Sequence, residues 1–188
     1  MAKGVYSGLL QATFITPSLW KLNKSLSFSH PDLDGDDLEF LSRKGADVSI
    51  SEKTITVPEG FETNLASVPR ALWALISPTD LARAATVHDG IYSICIESYP
   101  SNTEYERKQL RSFADFVFLE AMKSAENPVI PNWKIYAAYY AVRWFGFAAA
   151  RPKDWKNYEI PVKKVEKPKE EKHEERAHDT WSDEGGRH

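Results

Sequence analysis

The hydrophobic period of the chain changes near Ser67, and this change restricts the fold more than any other sequence feature. Before it, the stretches GLLQATFITPSLWKL, KSLSFSH and KTITVPEGF carry alternating or β-branched runs, and DLEFLSRKGADVSI ends in another. Pro58 and Gly60 then break the pattern. Four or five short strands in an antiparallel sheet are predicted. After it, the spacing is helical. Ser67 is placed to cap a helix that Pro69 starts and Ser77 and Pro78 end. Thr79 is placed to cap a second, in which Leu81, Ala84, Ala85, Val87 and Ile91 form an apolar stripe. A third runs through EYERKQLRSFADFVFLEAMKSA, with Leu110, Phe113, Phe116 or Val117, and Met122 spaced for burial. A fourth, NWKIYAAYYAVRWFGFAAA, lies between Pro131 and Pro152. The expected class is therefore α+β, an N-terminal antiparallel β-sheet followed by about four helices.

From about Val162 positive and negative residues alternate and apolar ones nearly vanish. Such a stretch buries too little apolar area to offset its ordering entropy. The expected organisation is one globular α+β domain over residues 1–160 and a charged, disordered tail over 161–188. With 42% hydrophobic and 27% charged residues, the chain has the balance of an ordinary globular protein.

The same sequence argues against several functions. A net charge of -3, with no basic block unmatched by acids, lacks the electrostatic footprint of a nucleic-acid binder. Cys95 is the only cysteine, which excludes an internal disulfide or a multi-cysteine metal site. The N-terminus has too short an apolar run for a secretory signal. Lys134 and Arg143 interrupt the fourth apolar stretch, which argues for a core helix over a membrane span. The acidic loop around Gly35 suggests calcium but fails the spacing of an EF-hand, since counting from Asp32 puts Gly35 at position four and Arg43 at twelve. A polar turn between strands is expected there.

His173, His178 and His188 lie in the tail, which leaves His30 and His88 as the imidazoles of the body. On the second predicted helix His88 and Tyr92 are four residues apart and share a face, and Asp89 is adjacent. A buried His and Asp must each find a partner, so the pair asks for an explanation. On the third helix Arg111 and Asp115 stand at i,i+4, within reach of one another. Three readings follow. His88, Asp89 and Asp115 could hold a divalent metal that activates water, with Arg70 or Arg111 facing an anionic substrate. Ser67 could act as a nucleophile with His88 as its base, although ASVPR lacks the glycines of a nucleophile elbow. Or these residues could form a polar network that fixes the helices against the sheet.

The motifs GFETNLASVPRALW, RAATVHDGIY, RSFADFVFLEAM and YYAVRWFGF, in that order, resemble an uncharacterised family of tailed-bacteriophage and prophage proteins, a domain of unknown function. The resemblance covers about Val57 to Phe147. It carries over Gly60, Phe61, Thr63, Ala66, Ser67, Pro69 and Arg70, then His88, Asp89 and Tyr92, then Arg111, Asp115 and Phe118. Asn64 stands where the family pattern has Asp, which would weaken a metal or base site and leave a hydrogen-bonding role intact. The resemblance implies a phage or prophage origin and a place in the host bacterial cytoplasm or on the virion. The expected function is that of an accessory protein with a binding or structural role and a phage or host protein as partner. The alternative is a small metal-dependent hydrolase with His88, Asp89 and Asp115 as catalytic and metal-binding groups and Asn64, Ser67, Arg70, Tyr92 and Arg111 around the substrate.

Overall fold

A computed structural model describes residues 3–16, 19–64, 79–97, 101–126 and 128–149. In chain order these form β1 (Val5–Tyr6), β2 (Ala12–Thr16), β3 (Leu19–Leu22), β4 (Leu26–Ser29), α1 (Gly35–Arg43), β5 (Asp47–Ser49), β6 (Thr54–Val57), β7 (Glu62–Thr63), α2 (Ala82–Glu97), α3 (Glu104–Lys123) and α4 (Asn132–Ala149). The chain is α+β, with strands first and most of the helix after. The helix predicted from Pro69 and the tail predicted over 161–188 lie outside the described residues.

The strands form two antiparallel sheets where one was expected. One has the order β1-β4-β6-β5 and the other β2-β3-β7. In the first, Leu26 faces Val57 and Phe28 faces Ile55 across β4 and β6. All four side chains are buried. The alternation of LSFS and TITV thus gives one apolar face, and covering it stabilises the fold by about 1.5–3 kcal/mol per side chain before conformational entropy is counted.

Helix α2 covers that face. It comes so close to β6 that a Cβ at Gly90 would lie 2.9 Å from Val57 Cγ2, so the glycine sets the distance between helix and sheet. Helix α3 packs against α2, α4 and α1. A capping box holds its start: Thr103 Oγ1 accepts from the Glu106 amide, and the Glu106 carboxylate accepts from the Thr103 amide. Leu110, Phe113, Val117 and Met122, expected inside, are buried. At its other end the Gly4 amide donates to Ser124 Oγ and the Tyr6 hydroxyl to the Ala121 carbonyl, which ties β1 to α3.

Helix α1 corrects the expectation of a polar turn. The Asp34 carboxylate accepts from the amides of Asp36 and Asp37 and so caps a helix with an acidic first turn. Leu38 and Leu41, three residues apart, are buried. The acidic cluster that suggests calcium is the start of this helix.

Candidate functional site

Three helices bring the site together. Val87 and Ile91 anchor α2 in the core, which turns His88 inward beside α3. His88 and Asp115 are both buried. The imidazole Nε2 lies 3.4 Å from Asp115 Oδ1, and Nδ1 lies 3.9 Å from Asp89 Oδ1. Its ring touches those of Tyr92 and Phe118, with centroids 4.1 and 5.0 Å away.

Asp115 is the centre of the arrangement. Its Oδ1 accepts from the Tyr92 hydroxyl at 3.0 Å, and its Oδ2 accepts from Arg143 on α4 at 3.0 Å. Arg143 also donates to Ser112 Oγ at 3.2 Å. The other carboxylate, Asp89, is partly exposed and accepts from Thr63 Oγ1 at the end of β7. One chain of contacts therefore runs from the second sheet through α2 and α3 to α4: Thr63, Asp89, His88, Asp115, Arg143.

The charges support one another. Burial opposes charging of His88, but the hydrogen bond to Asp115 and the nearby carboxylates of Asp89 and Asp115 raise its pKa above the ordinary 6.5. Burial also opposes charging of Asp115, yet the His88 hydrogen bond and charge, with Arg143 and Tyr92, lower its pKa below 3.8. Whenever His88 is protonated, its imidazolium stands between two carboxylates. The stabilisation from His88 is complete below pH 6.5 and is lost as pH rises through its folded pKa. That from Asp115 is present above pH 3.8 and is lost as pH falls. We therefore expect the melting temperature to decline as pH rises above 6.5. Thermal melts of the wild type and of His88→Gln from pH 5 to 9 check this, since the variant should show a flatter decline.

The geometry does not suit joint metal ligation by His88, Asp89 and Asp115. The two nitrogens of an imidazole point away from each other, and here each faces a different carboxylate. No point is within reach of all three, and Arg143 already occupies Asp115 Oδ2. Among the described residues no group of three or more His, Cys, Asp or Glu side chains is placed to hold a metal ion. Residues 65–78 contain none of these four types.

The remaining expected residues divide in three. Tyr92 joins the cluster directly. Asn64 is exposed beside Thr63, and Arg111 is partly buried one helical turn before Asp115. The cation bound to Asp115 is Arg143, not the Arg111 suggested by i,i+4 spacing. Ser67 and Arg70 lie outside the described residues. Arg143, Ser112 and Thr63 complete the site; Thr63 belongs to the motif the resemblance carries over, without a site role, and Arg143 and Ser112 were not among the expected residues. A signal for Arg143 was present, because an arginine within an otherwise apolar helix needs a partner.

A family model described as a protein of unknown function (DUF1353) matches residues 44–142. The chain belongs to this family. His88, Asp89, Tyr92 and Asp115 all fall within the DUF1353 match, as does Thr63, whereas Arg143 lies one residue beyond it. No curated protein and no solved structure matches the chain. Among the described residues no helix is long and apolar enough to cross a membrane.

Proposed function

We propose that this DUF1353 protein is a phage-encoded accessory protein, acting in the infected host or on the virion, that binds a protein partner through the outer face of α4. The observation that supports this is a row of aromatic side chains: Trp133 is 57% exposed, Tyr136 45%, Tyr140 49% and Trp144 73%. Steps of three, four and four residues place them on one face, over about 16 Å of helix. Tyr140 and Trp144 touch, with ring centroids 5.8 Å apart.

The two cations of this helix are occupied elsewhere, Lys134 with Asp80 and Arg143 with Asp115. What the row offers is aromatic surface, the material of interface hot spots. The fitting partner is an amphipathic helix that lays its apolar face along α4. The buried site then has a supporting role. Arg143 fastens α4 to α3 through Asp115, so the row is presented on a fixed helix.

A photo-crosslinking residue at Tyr140, introduced during infection, tests the reading. The expected result is one identified phage or host protein crosslinked there and not at the exposed control position Ile50. Trp144→Ala should weaken binding of that protein about thirtyfold, as a hot-spot loss of about 2 kcal/mol implies, with no change in melting temperature. Unchanged affinity and phage yield in Tyr140→Ala/Trp144→Ala would overturn it. The hydrolase reading is less well supported, because His88 Nε2 is bound to Asp115 and the ring is buried against two others. A folded His88→Ala protein that loses phage function, beside a functional α4 double variant, would reverse that ranking.

A further inference from the structure

We propose that β2 joins two copies of the protein by antiparallel pairing with its own counterpart, which would merge the two three-stranded sheets into one of six strands. The inference starts from the edges. In the orders β1-β4-β6-β5 and β2-β3-β7 the edge strands are β1, β5, β2 and β7. Three are short: β1 and β7 have two residues each and β5 has three, and β5 and β7 also carry Asp47 and Glu62. Short strands and charges are how proteins keep edges from pairing. β2 has neither protection. It has five residues, ATFIT, the longest strand among the described residues, and Gly8 to Thr16 contain no charge. Thr13 to Thr16 are all exposed.

The hydrogen-bond pattern shows which groups face outward. The Asn23 amide donates to the Gln11 carbonyl, so Gln11 and, two residues on, Thr13 turn their backbone groups toward β3. Ala12 and Phe14 turn theirs away from it. Water satisfies this exposed row in a single copy, and a protein partner can satisfy it along its length only as another strand.

A second copy suits this row better than an unrelated strand. Around a two-fold axis each charge meets its like, and β2 has none to repel. Lys21, opposite Thr13 on β3, would lie three strand spacings from its counterpart, about 14 Å, beyond the screening length at physiological salt. With the axis at Thr13, Ala12 of each copy exchanges both backbone bonds with Phe14 of the other. The two Thr13 residues then oppose each other as a non-hydrogen-bonded pair, about 4.5 Å apart at Cα. The register shift between Phe14 and Thr16 ends the pairing just past these residues.

The test uses the full chain. In a Cys95→Ser background, Thr13→Cys is expected to form a disulfide-linked dimer readily with oxidised glutathione, because the Cα separation is within disulfide range. Ala12→Cys, whose partner position is Phe14, should crosslink far more slowly. Sedimentation equilibrium should find the unmodified protein dimeric at high micromolar concentration. Phe14→Pro removes an outward N–H and leaves the bonds to β3, while Phe14→Lys places like charges near the axis. Each should weaken dimerisation at least about tenfold with the circular dichroism of the wild type retained. A monomeric wild type overturns the proposal. So does a dimer that survives both Phe14 variants, or a Thr13→Cys protein that links only to a different polypeptide.

Discussion

Asp115→Ala is expected to lower stability by about 3–5 kcal/mol, measured by urea denaturation near pH 6, the usual cost of breaking a buried ion pair from one side. Asp115 is fully buried and accepts from Tyr92 and Arg143 while facing the His88 imidazole. Without it, the Tyr92 hydroxyl loses its acceptor and His88 retains only Asp89, 3.9 Å from its other nitrogen. Arg143 is partly exposed and recovers some of its loss in water. Asp115→Asn, which keeps an acceptor for Tyr92 but no charge, should cost less. Both variants should also flatten the fall in stability above pH 6.5, because His88 loses the hydrogen bond and charge that raise its pKa. A loss below about 1 kcal/mol in Asp115→Ala would mean that the network adds nothing beyond a surface pair.

Phe118→Ala should cost a similar amount, about 3–5 kcal/mol, by a different route. The ring is completely buried on α3 and packs on the imidazole of His88. Its removal leaves a cavity in which no charge is lost. The two variants can be told apart by the titration of His88 followed by NMR. Burial is the influence that opposes charging of His88, so a cavity that admits water should move its pKa further up. Loss of Asp115 should move it down.

The helical half was legible in the sequence because its signals are local. Leu81, Ala84, Ala85, Val87 and Ile91 are spaced for one buried face, and each is buried. The N-terminal half was harder. Alternation in LSFS and TITV identifies strands but not which strand pairs with which, so the division into two sheets could not be read. Helix α1 was hidden by acidic residues that resemble a loop, although Asp34 before Gly35 with Leu38 and Leu41 following is a helix start. At the site, His88, Asp89, Tyr92 and Asp115 stood out as polar residues on apolar helices. Their relation did not. That the two nitrogens of His88 face different carboxylates, and that α4 supplies the cation, depends on how three helices pack.

The family match begins at residue 44, yet neither of its sheets is complete without what precedes it. β6 pairs with β4, and β7 pairs with β3, both from before that position. Strands recognise each other largely through backbone groups, which every residue except proline carries in full. Substitutions can therefore accumulate in β3 and β4 without breaking the pairing, provided their inward alternation is kept. Across relatives, the recognisable stretch and the stretch that folds need not share a boundary. Excised alone, residues 44–142 would leave β6 without one neighbour, β7 without its partner and Asp115 without Arg143. The matched stretch is thus shorter than the stretch whose strands and ion pairs complete one another in this chain.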